Sequence, residues 1–168
     1  CEHYCAYCII PYARGFNRSK PLEELKQELI DLSLKGYREV VLVGIDLSSY
    51  GKDLGCHLVD AVQLACDIPG IERVRLGSLE PLMLTDRNLS ILAALPKFCP
   101  QFHLSLQSGC DATLKRMNRH YDTAFYRELV ARIRRQFDNP SITTDIMVGF
   151  PGETEEEFEQ SLAFAREI

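Results

Sequence analysis

The chain has 168 residues, 46% of them hydrophobic and 26% charged, with a formal net charge of −5 from 19 basic and 24 acidic residues. That size and balance suit one soluble globular domain with a sizeable core, and no apolar run, the longest lying near residues 40–45, approaches the length of a membrane span. The acidic balance also argues against this segment gripping nucleic acid strongly by itself, because phosphate affinity comes mostly from Lys and Arg.

Seven cysteines are an odd number, and three of them fall within the first eight residues. A secreted disulfide scaffold would be smaller and richer in loops, so the expected compartment is reducing, hence cytoplasmic, with the clustered thiols kept for a metal. No signal peptide is visible, and the start at Cys1 rather than Met makes a piece of a longer protein the expectation. Basic residues cluster locally at Arg14, Arg18 and Lys20, at Lys115, Arg116 and Arg119, and at Arg132, Arg134 and Arg135; the last group reads as the solvated face of a helix.

In chain order, Leu22, Leu25, Leu29 and Leu32 recur at helical spacing, with Pro21 able to open the helix and Gly36 to end it. A β-branched run at 39–45 predicts a strand. Helix patterns appear at 58–68 and 86–95, the second capped by Thr85, with a strand at 72–77 between them. A strand at 102–107 precedes a helical stripe of Tyr126, Leu129, Val130 and Ile133. A last strand at 141–148 leads to Thr154 and Glu157, a capping-box pattern ahead of Phe158 and Leu162. Strand candidates spaced by roughly thirty residues are the signature of βα units, which implies a parallel sheet with helices outside and no internal domain boundary. Two architectures compete, an open doubly wound sheet and a barrel; a full eight-stranded barrel needs about 250 residues, so this chain is at most a partial one. In either, the active site lies at the C-terminal ends of the strands.

The chemistry-bearing residues sit where that rule asks. Cys1, Cys5 and Cys8 form a CxxxCxxC spacing that can turn three thiolates toward one metal centre. A 4Fe–4S cluster usually takes four cysteines, so three leave one iron with an open position, as an open coordination position marks catalytic zinc. A structural zinc site with His3 as fourth ligand is the competing reading, while Cys56, Cys66, Cys99 and Cys110 are scattered and read as ordinary thiols. Gly44, beside Asp46 after the first strand, lets a ligand approach the backbone closely. Pro81 ends the next strand and leaves Glu80 at its mouth. Gln107 offers a donor and an acceptor, and Arg119, twelve residues later, carries a fork suited to a carboxylate. Asp145 stands inside an apolar strand, where a buried carboxylate needs a partner.

CxxxCxxC with Ile-Ile-Pro-Tyr-Ala-Arg-Gly directly after it resembles the radical S-adenosylmethionine (SAM) superfamily and, within it, the methylthiotransferases; the likeness runs from Cys1 to Ile168. The stretches 104–118 and 143–153 look most like the tRNA enzymes that modify threonylcarbamoyladenosine beside the anticodon. The resemblance implies a partial (β/α)6-type TIM-like barrel lacking its first strand and its end. Residues 1–168 would be the radical SAM catalytic core, with an N-terminal methylthiotransferase domain carrying a second cluster and a C-terminal RNA-binding domain absent. It implies a 4Fe–4S cluster on Cys1, Cys5 and Cys8, and SAM held at Gly44, Asp46, Glu80, Gln107, Arg119, Asp145, Val148 and Gly149, with Tyr7 near the adenine. Gly44-Ile-Asp46 departs from the Gly-Gly-Glu common in the superfamily, which weakens the case for Asp46 itself. The implied reaction methylthiolates C2 of N6-threonylcarbamoyladenosine in tRNA through a 5′-deoxyadenosyl radical, with a reductant such as flavodoxin and no catalytic residue beyond cluster and SAM. The alternatives are another radical SAM enzyme (acting on isopentenyladenosine in tRNA, on a ribosomal protein or on coproporphyrinogen), a structural zinc module, and a barrel piece that only serves assembly.

Overall fold

The computed structural model describes every residue, Cys1–Ile168. Five short strands, β1 (Glu39–Leu42), β2 (Arg73–Leu76), β3 (Ser78–Leu79), β4 (Gln101–Leu104) and β5 (Ser141–Thr143), all pair in parallel. β2 pairs with β1, while β3 pairs with β4 and β4 with β5. Gly77 alone separates β2 from β3: its N–H donates to the Leu42 carbonyl at 2.9 Å, and just beyond it the Leu79 carbonyl accepts from Ser105 at 3.1 Å. One strand thus serves β1 with its first half and β4 with its second. The spatial order matches the chain order, without the reversal that marks a doubly wound sheet, so the strands form part of a barrel wall. β1 pairs on one side only, and a groove of about 660 Å³ runs along its other side.

Seven helices, α1 (Ile10–Arg14), α2 (Leu22–Leu34), α3 (Leu58–Asp67), α4 (Asp86–Ala93), α5 (Asp111–Arg116), α6 (Thr123–Gln136) and α7 (Glu155–Glu167), fill the connections. β4 shows why the layers form: Phe102 and Leu104 are fully buried in the same core as Tyr126, Leu129 and Ile133 of α6, whereas Gln101 and His103 on the opposite face stay half-buried. Burying side chains of this size contributes about 1.5–3 kcal/mol each.

The strands are shorter than their apolar runs because each run continues into a loop at its C-terminal end. Residues 43–45 leave β1 and carry Val43 and Ile45 to the surface. The run 141–148 ends as a strand at Thr143, with pairing resumed only at the Gln107–Ile146 bridge. Pro21 sits just outside α2 as its N-cap, and Gly36 beyond the other end takes φ +90°. Of the α2 stripe only Leu29 is fully buried, while Leu22, Leu25 and Leu32 are partly covered. Thr85 accepts from the Asn88 N–H, and Thr154 with Glu157 closes both arms of the capping box, as the sequence implies. α1 and α5 are short helices the periodicity did not signal, and α3 is capped by a box of His57 and Asp60.

Candidate cluster and cofactor site

Loop 1–8 has no regular structure before a turn in which Cys8 N–H donates to the Cys5 carbonyl at 3.0 Å. It is held from outside by the end of α5, more than a hundred residues away in the chain. Asn118 there has φ +57°, its N–H donates to the Lys115 carbonyl at 3.1 Å, and the Arg119 N–H donates to Leu114 at 2.9 Å. These are the two bonds of a Schellman cap, for which Asn is one of the few suitable residues without a glycine's freedom. The cap brings the end of the helix against the loop. Asn118 Nδ2 donates to the Tyr4 carbonyl at 2.9 Å and to His3 at 3.3 Å, and Ala6 N–H donates to Met117 at 3.0 Å.

The cap also turns Arg119 inward. Its side chain is 5% exposed and each of its three nitrogens donates to a protein acceptor: Nε to the Tyr121 hydroxyl at 3.0 Å, Nη1 to Cys5 Sγ at 3.1 Å, and Nη2 to both oxygens of Glu80 at 2.6 and 2.9 Å. Burial works against the guanidinium charge, but Tyr121, Glu80 and Cys5 outweigh it and raise its pKa further. Tyr121 donates onward to the carbonyls of Ser105 and Leu106, and burial pushes its own pKa up. The carboxylate expected for Arg119 is therefore supplied, in this structure, by Glu80. Glu80 is itself placed at the end of β3 by Ser48, whose hydroxyl accepts its backbone N–H at 2.8 Å.

Asp46 lies beyond β1 with its carboxylate only 4% exposed, 3.5 Å from His3 Nε2 and accepting the Ser49 hydroxyl at 2.8 Å. Burial opposes the Asp46 charge, but His3 and Ser49 hold its pKa below the usual value, and the Asp46 contact raises that of His3. Cys1 belongs to the same corner, since ligand atoms of Cys1, His3 and Asp46 all lie within 4.8 Å of one another. Asp46 thus braces the loop, a role its place in the sequence did not announce. Gly44, two residues earlier, is exposed, and a Cβ there would lie 3.6 Å from the Leu47 side chain.

The remaining strand ends are less buried. Gln107, at φ +70°, uses its N–H and carbonyl to bind Asp145 O and Met147 N, and its side chain makes no hydrogen bond within the protein. The expectation of a buried Asp145 is corrected: it lies past the end of β5, with a side chain 81% exposed and His103 Nε2 at 3.5 Å. Loss of the strand at Thr143 is the reason, because the chain has already left the sheet. Val148 is exposed, and Gly149 at φ +75° has no heavy atom within 4 Å of where a Cβ would stand. Its turn is fixed by Glu153, which accepts the N–H groups of Gly149 and Phe150. Tyr7 packs edge-on against Phe150, ring centroids 6.2 Å apart, so the cysteine loop and this turn touch; burial pushes the Tyr7 hydroxyl up to about 12.

A 4Fe–4S cluster fits this donor set. Cys1, Cys5 and Cys8 are free, half-buried thiols, and a charged N–H donor points at one sulfur. The sulfurs do not close on a single small ion: the group gathered within 4.8 Å holds only Cys1 of the three, whereas Zn–S bonds of about 2.3 Å would bring all three thiolates within ~4 Å of one another. For SAM the protein offers the exposed backbone at Gly44 beyond β1, the carboxylate of Glu80, and the turn at Gly149, where a Cβ would meet no heavy atom within 4 Å. Sequence reasoning missed Ser48, Asn118 and Tyr121; the helix-terminal Asn118 beside Arg119 was the one readable signal.

Comparison with known proteins gives the fold and the family. In the solved cobalamin-dependent S-adenosylmethionine radical enzyme OxsB, a similar fold covers 85% of this chain and 22% of that one, with a TM-score of 0.64 at 11% identity. The tRNA-2-methylthio-N(6)-dimethylallyladenosine synthases of Carboxydothermus hydrogenoformans and of Clostridium botulinum strain Loch Maree are 45% and 42% identical over the whole chain. That of Desulforamulus reducens is 41% identical. The chain spans 37–39% of the length of these relatives. The family model of the radical SAM superfamily matches residues 1–165. The chain, from its three-cysteine loop to its last helix, belongs to the radical SAM superfamily.

Proposed function

We propose that this chain is the catalytic core of a tRNA methylthiotransferase that adds a methylthio group to C2 of a modified adenosine next to the anticodon. Radical SAM enzymes work with a 4Fe–4S cluster and SAM, which together supply the carbon-centred radical that removes a hydrogen atom from the substrate. Cys1, Cys5 and Cys8 hold the cluster. The backbone at Gly44 and the carboxylate of Glu80 meet the amino-acid end of SAM, Gln107 and Asp145 its ribose, and Val148 and Gly149 its adenine, beside Tyr7. Asp46 acts on the loop rather than on SAM. The observation that carries the reading is the loop itself: three thiols fastened to α5 beside a buried Arg119–Glu80 pair, at the strand ends where a barrel does its chemistry.

The preferred substrate is N6-threonylcarbamoyladenosine, on the likeness of stretches 104–118 and 143–153 to enzymes of that type. Dimethylallyladenosine is the second reading, favoured by the substrate for which relatives at 41–45% identity are named. The second cluster and the RNA grip belong to parts of the protein outside this chain, which accords with its net charge of −5. A reductant such as flavodoxin delivers the electron.

The test is anaerobic reconstitution of the full-length protein, then incubation with tRNA carrying one or the other modified adenosine and mass analysis of the nucleosides. A methylthio product from threonylcarbamoyladenosine alone supports the preferred reading, and one from dimethylallyladenosine alone replaces it with the second. Zinc in place of iron, with no cleavage of SAM, would sink both.

A further inference from the structure

The guanidinium of Arg119 does more than pair with Glu80. Its Nη1 stands 3.1 Å from Cys5 Sγ, and neither Cys1 nor Cys8 receives a side-chain hydrogen bond of this kind. Resting on the reading of Cys5 as a cluster ligand, we infer that Arg119 is a positioning and tuning residue for the cluster: it orients the Cys5 thiolate and raises the cluster's reduction potential.

Three observations carry this. The side chain is 5% exposed, so its charge is little screened by water. It cannot swing away easily, because Tyr121 holds Nε, Glu80 holds Nη2, and the Schellman cap at Asn118 fixes the backbone from which it projects. Finally, the sulfur contact is made by Arg119 and not by its counter-ion, since Glu80 reaches Nη2 on the far branch of the fork. Charge-assisted N–H donation withdraws electron density from a thiolate, and a nearby buried cation favours the more negative, reduced form of the cluster. Hydrogen bonds to ligating sulfur are an established means of setting such potentials. Glu80 partly offsets the guanidinium, so the pair sets the potential jointly: loss of the arginine lowers it, and loss of the glutamate charge raises it.

The experiment is a redox titration of the reconstituted full-length protein, monitored by electron paramagnetic resonance and run without SAM, so that any contact between Arg119 and SAM plays no part. Arg119→Gln is expected to shift the potential to more negative values, Arg119→Lys to recover part of the shift, and Glu80→Gln to move it the opposite way. If Arg119→Gln fails to hold its cluster, the Glu80→Gln arm still decides: a positive shift supports the inference and an unchanged potential overturns it. Unchanged potentials in both variants, with clusters intact, sink this inference alone and leave the functional reading standing. A wild-type protein that assembles no iron–sulfur cluster sinks both together.

Discussion

Asn118 Nδ2 lies 2.9 Å from the carbonyl oxygen of Tyr4, joining residues 114 positions apart. Through this contact the left-handed cap of a six-residue helix becomes the clamp on the cysteine loop. Asp46 at His3, Arg119 at Cys5 and Phe150 at Tyr7 brace the loop elsewhere, while Tyr4 itself sits at φ +50° and α1, the next element, buries none of its residues. Part of the order at the cysteines is therefore borrowed from α5, and changes at the cap should be read at the loop.

Asn118→Gly keeps the left-handed backbone and removes only the side-chain bonds, whereas Asn118→Ala also strains the backbone. The alanine variant should lose about 1 kcal/mol more stability than the glycine variant in urea unfolding. Both should speed hydrogen exchange at the Ala6 amide, which donates to Met117. Unaltered exchange there would mean that the clamp is not what orders the loop.

Tyr121→Phe removes a hydroxyl that accepts from Arg119 Nε and donates to the Leu106 carbonyl. A buried charged donor then lacks a partner, and the expected cost is about 1–3 kcal/mol. Chemical denaturation compares the variant with Tyr50→Phe, whose hydroxyl donates to Lys20 O in an exposed setting and should cost less.

Gly109→Ala tests the docking of α7 on the end of the β4 segment. A Cβ there would stand 2.7 Å from Phe164 Cβ and 2.8 Å from the Ser161 carbonyl, and neither belongs to a flexible tip. Ser161 also accepts the Gly109 N–H at 2.7 Å. Overpacking of this kind costs about 1–3 kcal/mol, so a clear fall in thermal midpoint is expected. Gly55→Ala, with open space at its Cβ but φ +71°, separates backbone strain from collision.

Glu157 provides a pH test. Arg116 donates to it from Nη1 at 2.9 Å, and that contact, with the Thr154 backbone, lowers its pKa from 4.5 to about 2. A depressed carboxylate contributes stability above its unfolded pKa and loses it as pH falls through the folded value. The stability gap between wild type and Glu157→Gln should therefore be fully open at about pH 6 and close progressively between about 4.5 and about 2. Urea midpoints across that window measure it; a gap that widens with acid would contradict the sign.

Much of the framework could be read directly. Thr154 and Glu157 announce a capping box, Tyr126, Leu129, Val130 and Ile133 a buried stripe, and the alternation of runs a parallel βα layout. These signals are local, carried by residues within one or two turns of each other. Strand lengths were less legible, because an apolar run such as 141–148 looks the same whether it pairs or leaves the sheet to line a site.

By itself the sequence determined that three thiols crowd one short loop, that polar residues come after strands, and that the chain resembles a radical SAM core, since spacing and composition are properties of the chain alone. Only the tertiary structure decided that Arg119 binds Glu80 and Cys5 together, that Asp46 is the buried carboxylate and Asp145 the exposed one, and that Asn118 holds Tyr4. Each of those depends on where distant segments meet, and a charge or a thiol acquires its environment from neighbours that sequence separation conceals.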